Sequence, residues 1–314
     1  MDEIRGSEVL TFLAGIYQQL YIPPGENNTE KYDNVVKSGH EIPDGDLSHF
    51  ITDEKDRLAY EDTPEGEVIV ITLYNRQDFV TFLRIMANRC TLADIPDTQG
   101  ASIISGVINR SKIRKHKEDY ISGEIEKGNV FPDWKTEFER FTSDKNNYLD
   151  TLIVLSVGPY SGICAERINE LFEGCGINHV PLSDDEWISY SDTIRKYHEC
   201  THYICRKRFP DKTDPVIDEL VADAVGIYAA FGRFYKELEA LFLGIDDNGY
   251  AGGRLENYVK ADTGTEKQKQ LDDLSPGIMR FLGNFEKTAE ENPGILPYDL
   301  AVLLEENLLS KGDC

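Results

Sequence analysis

The sequence predicts an α+β protein, with a small β-sheet and helices in its N-terminal half and a mainly helical C-terminal half. Two observations carry this. Dense β-branched runs are confined to the first half, at EVIVITLYN (67–75) and TLIVLSV (151–157). From residue 184 onward apolar side chains recur almost throughout at helical spacing. Strands followed by helices make an α+β arrangement, with a soft boundary near residue 145 that separates 1–145 from 146–314.

Taken in order, SEVLTFLAGIYQQLYIPPG predicts a first helix that Ser7 caps and that stops at Pro23 and Pro24. Residues 25–66, rich in Asn, Asp, Glu, Gly and Pro, predict long loops around short elements. The strand at 67–75 leads into a helix, RQDFVTFLRIMANRC (76–90). In TQGASIISGVINRSKIRKHKEDYISGE two glycines signal a turn or close approach, after which the Ile and Val spacing favours a helix. The second strand, 151–157, ends in a Gly-Pro loop, and AERINELFEGCG predicts a helix closed by glycine. Helices then follow at 184–206, 215–243, 266–291 and 297–310, interrupted by the turn residues of IDDNGYAGG (245–253).

The composition, 57 acidic against 33 basic side chains and a formal charge of -24, disfavours nucleic acid and anionic membrane surfaces as partners. The basic runs RSKIRKHK (110–117) and CRKRF (205–209) are short and read as solvated helix faces. The acidic N-terminus has no secretory pattern, and no window approaches the roughly 18 apolar residues of a membrane span. A cytoplasmic protein with no membrane partner is expected. Its 6 cysteines include no CxxC pair, so reduced thiols are expected too. Of the histidines, His40, His49, His116 and His179 have no partner pattern and read as surface or capping residues.

The chemistry concentrates in YHECTHYICRKRFPDKTDPVIDELVADAVG (197–226). At about 100° per residue, His198 and His202 lie about 40° apart on a helix, with Cβ atoms about 5–6 Å from each other, so both imidazoles reach one ion. Glu199 stands beside them, off the ligand axis, where a carboxylate can take a proton from water. HECTH is an HExxH pattern, and a catalytic zinc takes three protein ligands with one position left open. After the break at Pro210 and Pro215, a second helix presents Glu219 and Asp223 on one face. Glu219 supplies a third ligand, and Asp223 an acceptor for the outer N–H of an imidazole.

HECTH followed by ELVAD resembles the gluzincin metallopeptidases over residues 197–226. The resemblance implies one Zn2+ ion on His198, His202 and Glu219, Glu199 as general base and acid, and Asp223 as the hydrogen-bond partner of His198. It implies a zincin-like helix pair and a peptide or protein substrate. Members of this family also steady the oxyanion with a Tyr, His or Arg and align substrate on an upstream edge strand. No local motif marks that residue here, and TLIVLSV is the strand available.

Several alternatives stand beside this reading. Cys205, three residues past His202, offers a His2Cys site, although Tyr203 and Ile204 favour a buried structural thiol. In GYAGGRLENYV (249–259), Tyr250, Arg254 and Tyr258 are spaced four apart, and on a helix Arg254 could bind a substrate carboxylate while Tyr258 or Tyr250 donates to an oxyanion. Their bland reading is a capping turn and a surface ion pair. SVGPYSG lacks a nucleophile elbow, and TQGASIISG matches no phosphate-cradling pattern. The primary expectation is a zinc hydrolase acting on a peptide or amide bond. A zinc-stabilised binding or regulatory module without turnover is the second, and a metal-free helical scaffold the third.

Overall fold

Val68–Leu73 are buried one after another with no alternation, as expected of a strand covered on both faces. They lie in the five-stranded sheet of a computed structural model that describes residues 3–43, 45–123, 133–212, 214–246, 248–260 and 263–311. The chain begins with β1 (Ile4–Arg5), α1 (Glu8–Ile16) and a short α2 (Glu30–Tyr32). Next come β2 (Arg57–Thr63), β3 (Gly66–Leu73) and α3 (Arg76–Met86). The remaining elements of this half are β4 (Ala101–Ile108), α4 (Arg110–Ser122), α5 (Trp134–Ser143) and β5 (Leu149–Ser156). The sheet order is β1-β2-β3-β5-β4, with β3 parallel to β5 and β4 antiparallel to it.

The protein is α+β, and several local expectations need correction. The first helix is shorter than its periodicity suggests: α1 ends at Ile16, Tyr17 leaves the helical region at φ -114 and ψ 77, and a 3-10 turn covers Gln18–Tyr21. Ser7 stands at its start without a side-chain cap bond. Residues 25–66 are loops around short elements, as expected, among them α2 and β2. Buried Asp78 pins part of that stretch by accepting the N–H groups of Ile51 and Thr52, each at 2.8 Å. The Ile and Val run after Gly100 is strand β4, because pairing with β5 outweighs an ambiguous local period. The helix, α4, begins only at Arg110, where Asn109 Oδ1 accepts the Lys112 N–H at 3.1 Å.

All of TLIVLSV but Val157 lies within β5, which has β3 on one side and β4 on the other, so it offers no open edge to a substrate. A boundary at 145 would part β5 from these partners. The contacts divide the chain into one unit of residues 1–61 and 68–156 and another of 62–67 and 157–314. His116 is no surface residue: it stacks on Phe141, with centroids 4.0 Å apart, and bonds Glu137 at 2.7 Å.

The second unit holds α6 (Ala165–Gly174), α7 (Asp184–Arg208), α8 (Pro215–Phe231) and α9 (Lys236–Leu243). A two-strand hairpin, β6 (Ile245–Asp246) and β7 (Gly249–Tyr250), precedes α10 (Gly264–Glu291) and α11 (Pro297–Lys311). The single helix expected over 215–243 is two, because Gly232 takes a left-handed φ of 68 and ends α8. Ser183 and Glu186 form a capping box at the start of α7, and its last turn carries Arg206, Lys207 and Arg208 against the helix dipole. Asp214 caps α8 with Pro215 in its first turn. Trp187, Ile194, Val221, Val225 and Phe242 belong to the core of this unit.

Among the described residues no helix is long and apolar enough to cross a membrane. Cys90, Cys164, Cys175, Cys200 and Cys205 form no disulfide among the described residues. The expectations for Cys314, for Asp247 in the 245–253 turn and for Glu124 fall outside the described residues.

Candidate metal centre

The helices around HECTH and DELVAD pack against each other as α7 and α8. Gly226 permits the approach: a Cβ there would meet the Ile194 carbonyl oxygen at 2.7 Å. One turn along α7 from Ile194 comes His198, opposite Asp223, and one turn further His202, opposite Glu219 and Asp218.

The inner nitrogens converge. His198 Nε2 and His202 Nε2 are 3.0 Å apart, and Glu219 places Oε2 at 3.5 Å from the first and Oε1 at 3.3 Å from the second. The outer nitrogens are held by acids: His198 Nδ1 donates to Asp223 Oδ1 at 2.8 Å, and His202 Nδ1 lies 2.9 Å from Asp218 Oδ2. The two Nε2 atoms and a carboxylate thus face one another, an arrangement that can accept a cation among them. Metal–ligand bonds of about 2.0–2.2 Å at tetrahedral angles separate neighbouring donors by about 3.3–3.5 Å. The two separations from Glu219 match that spacing, the 3.0 Å between the imidazoles is shorter than it, and the donor set of two imidazoles and a carboxylate fits a zinc ion. Without one, a proton serves. Burial opposes charge on His202, but bonds to Asp218 and Glu219 outweigh it and push its pKa up to about 10. Burial also opposes charge on Glu219, yet the two imidazoles hold its carboxyl far below the usual range.

Around this triangle lies a buried polar layer. Tyr160 OH donates to Asp223 Oδ1 at 2.6 Å and sits 3.1 Å from His198 Nδ1. Its loop is anchored on α7, where Ser191 Oγ accepts the Tyr160 N–H at 2.9 Å. Arg195 donates to the carbonyls of Gly158 and Pro159 at 2.6 and 2.7 Å. Arg254 pairs with Asp223 Oδ2 and donates to Tyr160 OH. Burial opposes ionisation of Asp223, and Arg254 with His198 holds the carboxyl low. Glu239 is fully buried, and neither of its oxygens has a hydrogen-bond partner among the described residues. Burial, reinforced by Asp223, pushes its carboxyl well above the ordinary value.

Tyr250, Arg254 and Tyr258 do not share a helical face. Tyr250 lies in β7 and donates to the Gly253 carbonyl at 2.8 Å, whereas a 3-10 turn covers Arg254–Asn257. Tyr258 OH donates to Glu219 Oε2 at 2.8 Å. Arg254 and Tyr258 thus touch residues of the centre, and Tyr250 is spent on its own loop. Glu199 is half-buried and has no partner among the described residues. Cys205 lies outside the triangle and groups with Asp218 and Glu305. Lys212 Nζ, itself buried, bonds Glu305 Oε1 at 2.5 Å and supplies the positive charge there.

Sequence reasoning missed Tyr160, Asp218 and Glu239. Asp218 carried a signal, since it precedes Glu219 and lies about 100° around α8 from it. Glu239 carried one as well, as an acid within the apolar run LEALFL. Nothing local marked Tyr160.

A family model described as "Family of unknown function (DUF7005)" matches residues 3–303. Compared with the curated proteins and with the solved structures, the chain matches none.

Proposed function

The chain belongs to this family of unknown function, and we propose that it is a zinc-dependent hydrolase that cleaves a peptide or other amide bond. The reading is carried by one observation: three donor atoms converge, a carboxylate lies behind each imidazole, and Glu199 beside them is left unpartnered among the described residues. His198, His202 and Glu219 would hold the ion, which supplies Lewis acidity toward a carbonyl and toward water. Glu199 takes the proton of the attacking water and returns it to the leaving amine. Asp223 and Asp218 fix the imidazole tautomers and raise their basicity. Tyr258, by donating to Glu219 Oε2, leaves the other carboxylate oxygen to the ion. Arg254 and Tyr160 hold Asp223 in place. A cytoplasmic setting and a peptide or protein substrate belong to the same proposal.

A closed structural site would need a fourth protein donor. What supports an open position is that the converging group among the described residues has three members, while Cys205 belongs to another.

The test is Glu199→Gln in zinc-loaded protein, assayed on a quenched fluorescent peptide library. Zinc content should match the wild type, and cleavage should fall by about 10²–10⁴. Cleavage that survives the substitution, or wild-type protein that retains no zinc, would sink the proposal.

A further inference from the structure

In this acidic chain, three arginines line one cavity of the first unit, and two of them face no acid. The cavity holds about 350 Å³, at the lower end of the range for small-molecule sites. Its apolar walls come from Ile16 and Tyr17 at the end of α1, Val35, Met86 at the end of α3, and Ile104 on β4. β4 is an edge strand, and its register shifts between Ser105 and Val107, where Gly106 takes φ +75. A Cβ on Gly106 would meet nothing within 4 Å, so the bulge opens the cavity mouth.

The cations differ in what already satisfies them. Arg114 is paired with Glu41, and its Nη2 donates to Ser111 Oγ at 2.9 Å. Arg110 donates Nη2 to the Val36 carbonyl at 2.8 Å, and its guanidinium lies so close to Gly39 that a Cβ there would sit 2.3 Å from Nη1. Neither it nor Arg89 has a carboxylate partner among the described residues. Arg89 is exposed at a turn where it and Cys90 both take left-handed backbone, φ 54 and 57, a conformation that costs side-chain-bearing residues energy. Two guanidiniums without acids, in a protein of charge -24, face a cavity whose walls are otherwise largely apolar. Glu41 on Arg114 already shows a carboxylate being taken at this rim.

We propose that this cavity binds a small amphipathic carboxylate, its anionic head between Arg89 and Arg110 and its apolar body along Ile16, Val35, Met86 and Ile104. The planar fork of a guanidinium matches a carboxylate in two parallel hydrogen bonds, and the wall buries a short chain or ring. This site is independent of the metal centre.

Calorimetric titration of the full chain with octanoate tests it, with octanol, acetate and octylammonium as comparisons. Octanoate should bind saturably at one site per chain, at least about tenfold more tightly than octanol or acetate, and octylammonium should give no saturable heat. Arg89→Gln, at an exposed residue with no ion pair among the described residues, should weaken octanoate at least about tenfold. Arg233→Gln, elsewhere on the surface, should not. Absence of saturable octanoate binding, equal affinity for octanol, or unchanged affinity in both Arg89→Gln and Arg110→Gln overturns the proposal.

Discussion

Gly226 of α8 lies under the carbonyl of Ile194 on α7, with room for a hydrogen and none for a methyl group: a Cβ would stand 2.7 Å from that oxygen. The contact is backbone against side chain, so no rotamer can relieve it. Gly226→Ala must therefore push the two helices apart at the level of the ligands. The expected cost is about 1–3 kcal/mol of stability, together with weaker zinc binding. Thermal denaturation and competition against a fluorescent chelator measure the two effects; a variant equal to wild type in both would show that the helices are free to shift.

Asp223 bonds the outer nitrogen of His198 at 2.8 Å, and Asp218 lies 2.9 Å from that of His202. Asparagine keeps the shape of either but loses the charge, and it can present an amide N–H to the ring. Zinc affinity should fall by about 10–100-fold in Asp223→Asn and in Asp218→Asn. Asp223 is fully buried and also answers Arg254 and Tyr160, so its variant should be the less stable of the two.

Cys205, Asp218 and Glu305 form a second group with metal-binding chemistry, but Lys212 already neutralises Glu305. Elemental analysis should find one zinc per chain. In Lys212→Met the buried Glu305 carboxylate is left alone, which costs roughly 3–5 kcal/mol when an ion pair is broken inside a protein. A second bound zinc in the wild type would contradict this account of the lysine.

Burial pushes the Cys90 thiol up to about 12, so almost no thiolate forms at neutral pH. Cys164 and Cys175 are exposed. Brief alkylation of native protein at pH 8, read by peptide mass mapping, should label Cys164 and Cys175 and spare Cys90. Raising the pH toward 12 should bring Cys90 into reaction, provided the fold persists.

How much of this was legible in the sequence depended on whether the contact was local. His198 with His202, and Glu219 with Asp223, are pairs on single helices, where spacing alone dictates a shared face. Their meeting across α7 and α8 followed from a short connection, and Asp223 did bond His198 as the pattern implied. Tyr160 could not be read, because its role depends on Ser191 and Arg195 fixing a loop from a distant part of the chain. Tyr250 misled through its spacing, which has meaning only on a helix. β4 misled for a similar reason: a short run of Ile, Ile and Val fits either period, and only the neighbouring strand decides. Arg254 and Tyr258 were picked out by that same helical spacing, which they do not use, and their partners, Asp223 and Glu219, were visible only in three dimensions.

All three donors and both supporting aspartates sit on consecutive helices joined by residues 209–214. Closing so short a loop costs little entropy compared with a site assembled from distant segments. Under the proposed zinc binding, such a segment would be able to gather the ion early in folding, before the C-terminal helices pack against it, and metal supply at that moment would then bear on how much of the newly made chain reaches its native state.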